Sequence, residues 1–299
     1  MRRVLQLPTP CLLLMLAFLT GCHSLGGNHS VYDTLPGCSA PVCDASGDFS
    51  CDSSCDSQGC DGAGYASGSV RVVRGRSIPL LDRTASLIGT VNKVALWDHR
   101  ADNHSISPTT ERMVASYLQS NGLNDTLVRS NQYDPVGEWQ RLARNKKIAA
   151  PLRFTVGAYD VLKYTLVPGR LVGGDWYNPF TNSVHLYSDI PAIGLSKAAY
   201  AKDVYSRKRP GAYASSQDLP LFGIYHETLA NREVISFMRA RGGPGAAQEA
   251  ERLLYPDLAG SLGAQTLGFL PYGSVYGRAA GAVVGHAARA AKNQVTNLR

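Results

Sequence analysis

The sequence predicts an α+β domain carried behind an export signal and an acidic tether. Three observations predict it. Stretches with helical character open repeatedly on a proline, at Pro108, Pro135 and Pro191. Two short stretches between them, 126–133 and 182–188, read as strands. Residues 23–69 are rich in small and acidic side chains and too poor in large apolar ones to bury a core.

At the N-terminus, Arg2 and Arg3 precede an apolar run from Leu12 to Phe18, which ends in Leu19-Thr20-Gly21-Cys22. This pattern resembles a lipobox. The arginines hold the cytoplasmic side, the apolar run enters the translocon, and small residues before the cysteine admit a peptidase. A spanning helix needs roughly 20 apolar residues, more than this run supplies. The expectation is a signal peptide over 1–21, lipidation of Cys22 and a place in the bacterial cell envelope. Each acyl methylene contributes about 0.8 kcal/mol, so two or three chains give lasting attachment to a membrane. The alternative is an ordinary secretory signal with an incidental cysteine.

The linker expected over 22–69 carries six Asp and no Lys or Arg. Its remaining cysteines are Cys38, Cys43, Cys51, Cys55 and Cys60. An oxidising compartment allows two disulfides among them with one thiol over. Their spacing matches no zinc or iron–sulfur pattern. From residue 70 onward there are 28 Lys and Arg against 17 Asp and Glu, a balance that favours anionic lipid or polyanions. No zinc finger, helix-turn-helix or RNP-like motif is present, so sequence-specific nucleic-acid binding is not expected.

Order is expected from Val70. Residues 79–97 are apolar enough for a buried helix. Ser107-Pro108-Thr109-Thr110-Glu111 supplies an N-cap, a proline in the first turn and an early glutamate for a helix to about Gln119, stopped by Asn121-Gly122. A strand over 126–133 and a helix over 135–146 follow, and 154–167 fits either state. Gly173-Gly174 and Asn178-Pro179 mark turns. Residues 182–188 alternate as an exposed edge strand would, with His185 turned to solvent or to an added peptide. Pro191 opens a helix to about Lys208, and a further helix spans about 221–241.

The stretches Gly174-Asp175-Trp176-Tyr177-Asn178-Pro179-Phe180-Thr181-Asn182 and Leu186-Tyr187-Ser188-Asp189-Ile190-Pro191 resemble a group of uncharacterised bacterial proteins related to gluzincin-type zinc metallopeptidases. The resemblance covers roughly residues 75–270. It implies a zincin-like domain with a small sheet, an edge strand and two active-site helices. In that group a His-Glu-x-x-His helix comes next, followed by Ala-Lys-Asp. Here the segment is Ser196-Lys197-Ala198-Ala199-Tyr200, followed by Ala201-Lys202-Asp203. Glu227-Thr228-Leu229-Ala230-Asn231 is similar to the segment by which some gluzincins supply a third zinc ligand.

A working site needs two neutral imidazoles four residues apart and a glutamate base for the metal-bound water. Ser196 and Tyr200 keep the spacing but offer hydroxyls, and Lys197 puts a cation where the base belongs. Only Glu227 survives of the ligands and base that the resemblance implies. These four residues form a vestigial site, for which neither metal, cofactor nor catalytic residue is expected. His185, His226 and Asp203 are the candidate replacement ligands, and Ser196 with Lys197 is the candidate nucleophilic pair. Residues adjacent on a helix point about a third of a turn apart, which separates His226 from Glu227 and Ser196 from Lys197. The hypothesis for the vacated site is that Lys197 pairs with Glu227 in place of zinc, with Tyr200 donating to the same carboxylate.

Beyond residue 255, Gly273, Gly277, Gly281 and Gly285 recur every four residues and form a smooth stripe on a helix. Four interior glycines cost about 4 kcal/mol against alanine, so close packing must offset them. Ten residues separate Arg278 from Arg289, too few for a membrane span. A Gly-rich helical hairpin over 256–299 is expected, packed on itself or on a second copy.

The sequence thus yields a degenerate gluzincin-like domain over 70–255, lipid-anchored and acting by binding or assembly with an unknown protein partner. Two other functions compete: an active hydrolase with a rebuilt site, and a structural envelope protein that forms homo-oligomers through the glycine stripe.

Overall fold

A computed structural model describes residues 65–67, 70–167, 169–172, 174–217 and 222–297. The signal segment, Cys22 and the five tether cysteines lie outside the described residues. Five strands form one mixed sheet: β1 (Tyr65–Ser67), β2 (Val70–Arg74), β3 (Leu127–Ser130), β4 (Trp176–Asn178) and β5 (Ser183–Leu186). Their spatial order is β1-β2-β3-β5-β4. The three inner strands run parallel, and β1 and β4 close the two edges antiparallel. Strand pairing therefore begins at Tyr65, before the Val70 expected. The chain is α+β, as expected.

The edge assignment needed correction. β5 lies inside the sheet, with all four residues buried, and β4 takes the edge instead. His185 is 0% exposed and turns to neither solvent nor an open edge. Parallel strands covered on both faces are buried throughout. One face carries Val72, Val128, Val184 and Leu186 toward α3 (Pro108–Ser120) and α6 (Pro191–Tyr205). Gly194 on α6 makes that layer close: a Cβ there would stand 2.8 Å from Val114 of α3.

The other face is polar. Arg129 Nε donates to Glu138 Oε1 of α4 (Pro135–Arg144) at 2.7 Å, and Ser183 Oγ donates to the same oxygen at 2.9 Å. Burial alone would raise the Glu138 carboxyl, but His185 and Arg129 beside it hold it down at about 2. The His185 ring stacks on Trp176, centroids 4.4 Å apart, and also touches Tyr164 of α5 (Ala158–Leu166). Residues 153–157 before α5 form a π-helical turn, so the ambiguous 154–167 stretch is helical.

Local signals set the helix starts. Ser107 Oγ accepts from Thr110 N at 3.3 Å ahead of Pro108, and Asp134 Oδ1 accepts from Gly137 N at 2.9 Å ahead of Pro135. The buried helix expected over 79–97 is instead two helices, α1 (Pro79–Ile88) and α2 (Thr90–Leu96), divided at Gly89. A Cβ on Gly89 would meet Asp102 at 2.5 Å. Ala85, Ala95 and Leu96 are buried, but Leu80 and Leu87 are 80% and 75% exposed.

After α6 and the short α7 (Pro210–Ser215) comes α8 (Phe222–Leu267), which folds back on itself. Gly243, at φ 71° and ψ −167°, breaks the helix just before Pro244. Asn231 then reaches the Leu254 carbonyl, and Gly223 sits beside Gln265, so the two arms run antiparallel. The expected end near Arg241 matches the first arm. The second arm continues through Pro256, so the boundary expected at 255/256 falls inside a helix.

That second arm and α9 (Gly273–Asn297) form the glycine hairpin. A Cβ on Gly277 would lie 2.1 Å from Gly263 O, on Gly281 2.0 Å from Ala259 O, and on Gly285 2.5 Å from Pro256 Cα. On Gly273 it would lie 1.8 Å from Leu267 O. The stripe is thus packed within the chain. Among the described residues no helix is long and apolar enough to cross a membrane.

Candidate functional site

α6, both arms of α8 and α9 surround two adjoining cavities of about 260 and 410 Å³. Asp175, Lys197 and Glu227 line both and form the wall between them. Lys197 comes from α6, Glu227 from the first arm of α8, and Asp175 from the turn before β4. The smaller cavity adds Asn92, Asp102, Ser188, Asp257, Ser261 and Arg278. The larger adds Trp176, Tyr177, Ser196, Tyr200, Gln217 and His226. Ser196, Lys197, Tyr200 and Glu227 therefore all line the larger cavity.

They do not meet as expected in every contact. Tyr200 Oη donates to Gln217 Oε1 at 2.7 Å, not to Glu227, because the chain after α7 brings the amide closer. Ser196 Oγ donates to Asn231 Oδ1 at 2.7 Å and so ties α6 to α8. Among the described residues, neither Lys197 nor Glu227 forms an ion pair within 4.0 Å. Their coupling acts through space across the cavity. Burial disfavours the Lys197 ammonium, yet Glu227, Asp257 and Asp175 raise its pKa above the ordinary lysine value. Burial pushes the Glu227 carboxyl up and Lys197 pulls it back only in part. Glu227 Oε2 is sealed from solvent and lacks a hydrogen-bond partner among the described residues.

Three further charged groups complete the cluster. Asp175 Oδ1 accepts from Tyr187 N at 2.7 Å and Ser188 N at 3.2 Å. Burial, with the Asp102 charge nearby, still pushes that carboxyl up to about 7. Arg278 Nη2 donates to Asp257 Oδ1 at 2.8 Å, and its Nε donates to Asn92 Oδ1. Burial opposes ionisation of Asp257, but Arg278 and Lys197 hold it below the usual carboxylate range. Arg278 reads in the sequence only as an interruption of an apolar run. Asp175 and Asp257 carried no signal as site residues, being lone acids beside a turn and a proline.

His226 lines the larger cavity together with Glu227. It is 1% exposed, lies 4.2 Å from the Tyr213 ring and 5.4 Å from Tyr200, and faces the larger cavity only. Burial lowers its pKa, so the ring is neutral at pH 7. Neither of its nitrogens has a partner among the described residues. Asp203 turns the other way, bonding Arg207 and Tyr213. Among the described residues no three His, Cys, Asp or Glu side chains are grouped so as to hold a metal ion. No protein-family model, curated protein or solved structure matches this chain.

Proposed function

We propose that this chain is a lipid-anchored envelope protein with a zincin-like architecture, in which an internal cation stands in for the metal. It acts by binding rather than by hydrolysis. The observation that carries this reading is the Lys197 ammonium in the cleft with Glu227. By the resemblance, Lys197 stands where a metallopeptidase has its general base, and Glu227 where it has its third ligand. A fixed ammonium repels a divalent ion and cannot take a proton from water at neutral pH. Ser196 and Tyr200 have their hydroxyls committed to Asn231 and Gln217. The lipobox ending in Cys22 supplies the anchor in this reading.

Zinc analysis tests it directly. The purified full-length protein, incubated with excess zinc and desalted, is expected to retain no stoichiometric zinc. One tightly held equivalent per chain would overturn the proposal.

A further inference from the structure

We propose that the double cavity binds an organic cation through a primary ammonium group, held by Glu227 and Asp175 against the rings of Trp176 and Tyr200. This rests on the reading that the site binds and holds no zinc.

The charge inventory points to it. Four carboxylates, Asp102, Asp175, Glu227 and Asp257, line the cavities against two cations, Lys197 and Arg278. Arg278 is committed to Asp257 and Asn92. Asp102 accepts from Asn92, Gly174 N and Ser188 Oγ. Asp175 accepts two backbone amides, both at Oδ1, whereas Glu227 Oε2 has no partner among the described residues, and the remaining ammonium, Lys197, contacts neither carboxylate within 4.0 Å. The cleft thus holds more carboxylates than cations, and its unmet acceptor is Glu227 Oε2.

Two side chains show where the shortage lies. Glu227 Oε2 is sealed from solvent and unpartnered. A buried carboxylate oxygen in that state is costly, and a donor carrying positive charge relieves it most. His226 is independent of the acid cluster. It is buried, neutral, unpartnered at both nitrogens, and lines the larger cavity. An ammonium offers three donors, enough for Glu227, Asp175 and one acceptor such as the imidazole. Trp176 and Tyr200 line the same cavity, and aromatic rings are favourable neighbours for a cation. At about 410 Å³ the larger cavity exceeds the ~30 Å³ of one water many times over, so an alkyl chain fits behind the ammonium. A neutral polyol would use the rings and amides but leave the excess charge unanswered.

The test titrates the full-length protein in detergent at pH 8 with n-butylammonium and, separately, with uncharged n-butanol. The expected result is saturable binding of the ammonium at one per chain, with the alcohol weaker by about tenfold or more. Glu227→Gln should weaken ammonium binding by a similar factor while keeping the fold, since it removes an unpartnered charge. Lys197→Met should strengthen it, because the competing internal cation is gone. Should either variant fail to fold, Asp175→Asn and the ammonium-to-alcohol ratio on the unaltered protein still decide. Equal binding of alcohol and ammonium overturns the proposal, as does no binding of either to zinc-free protein. Stoichiometric zinc in the cleft overturns the reading beneath it instead.

Discussion

Gly277 of α9 and Gly263 of α8 lie so close that each fills the space where the other would carry a side chain. A Cβ on Gly277 would stand 2.1 Å from Gly263 O, and one on Gly263 would stand 1.9 Å from Gly277 O. No side chain fits between two backbones at that distance. The contact offsets the poor helix propensity of glycine, because it lets the two helices bury their whole facing surfaces.

Gly281→Leu should therefore unfold the hairpin rather than dissociate an oligomer. Forcing a side chain against Ala259 O should cost about 3 kcal/mol or more, read as a lower denaturation midpoint. Ala280→Leu, one residue away on the exposed side of α9, should change stability by no more than about 0.5 kcal/mol. Sedimentation should give the same mass for both variants and for the unaltered protein.

Gly243 turns α8 back on itself with a backbone conformation that only glycine adopts easily. Gly243→Ala should cost about 1–3 kcal/mol, measured by chemical denaturation. A neutral substitution would mean that the fold-back is held by packing alone.

Lys197 and Glu227 should behave as a coupled pair although they do not touch. Lys197→Met should destabilise the protein, since it leaves Glu227 and Asp257 without their common cation. Adding Glu227→Gln should restore part of the loss. A double-mutant cycle is expected to return a coupling of about 0.5–3 kcal/mol, and additive effects would show that the cavity screens the two charges.

Asp175 should give the stability a distinct pH dependence. Its carboxyl titrates at about 7 in the fold and near 3.8 when exposed, so the folded chain holds the proton more tightly. The resulting stabilisation is complete below 3.8 and is lost as pH rises to about 7. Stability of the unaltered protein minus that of Asp175→Asn should fall across that window. The buried His185 and His226 act in the opposite sense below 6.5, but both proteins contain them, so they cancel in the difference.

The N-terminal segment gives two separable outcomes. Cys22→Ser should abolish acyl labelling and leave unprocessed precursor, and undiminished labelling would remove the anchor from the proposal. Deleting residues 23–64 should leave the melting temperature nearly unchanged. Extending the deletion to residue 69 should lower it, because β1 then no longer covers the edge of β2.

The sequence alone determined the elements whose signals are local. Ser107 and Asp134 cap helices that begin at Pro108 and Pro135, because each cap bonds an amide only three residues away. The four-residue glycine repeat likewise specified a close helix contact, since every fourth residue shares one side of a helix. The resemblance to gluzincins, not any local signal, implied that Lys197 and Glu227 share a cleft. Only the tertiary structure decided the rest. The alternation of 182–188 gives no information about which neighbour pairs with β5, so the edge fell to β4 once both faces of β5 were covered. The choice between self-packing and oligomer was also invisible, because a smooth helix face accepts either partner. In the fold, Gly243 turns α8 back and α9 packs against Gly263 within the same chain. Asp102, Asp175, Lys197, Glu227, Asp257 and Arg278 converge from distant parts of the chain. Their charges act through space, and no sequence pattern encodes a distance between residues that far apart.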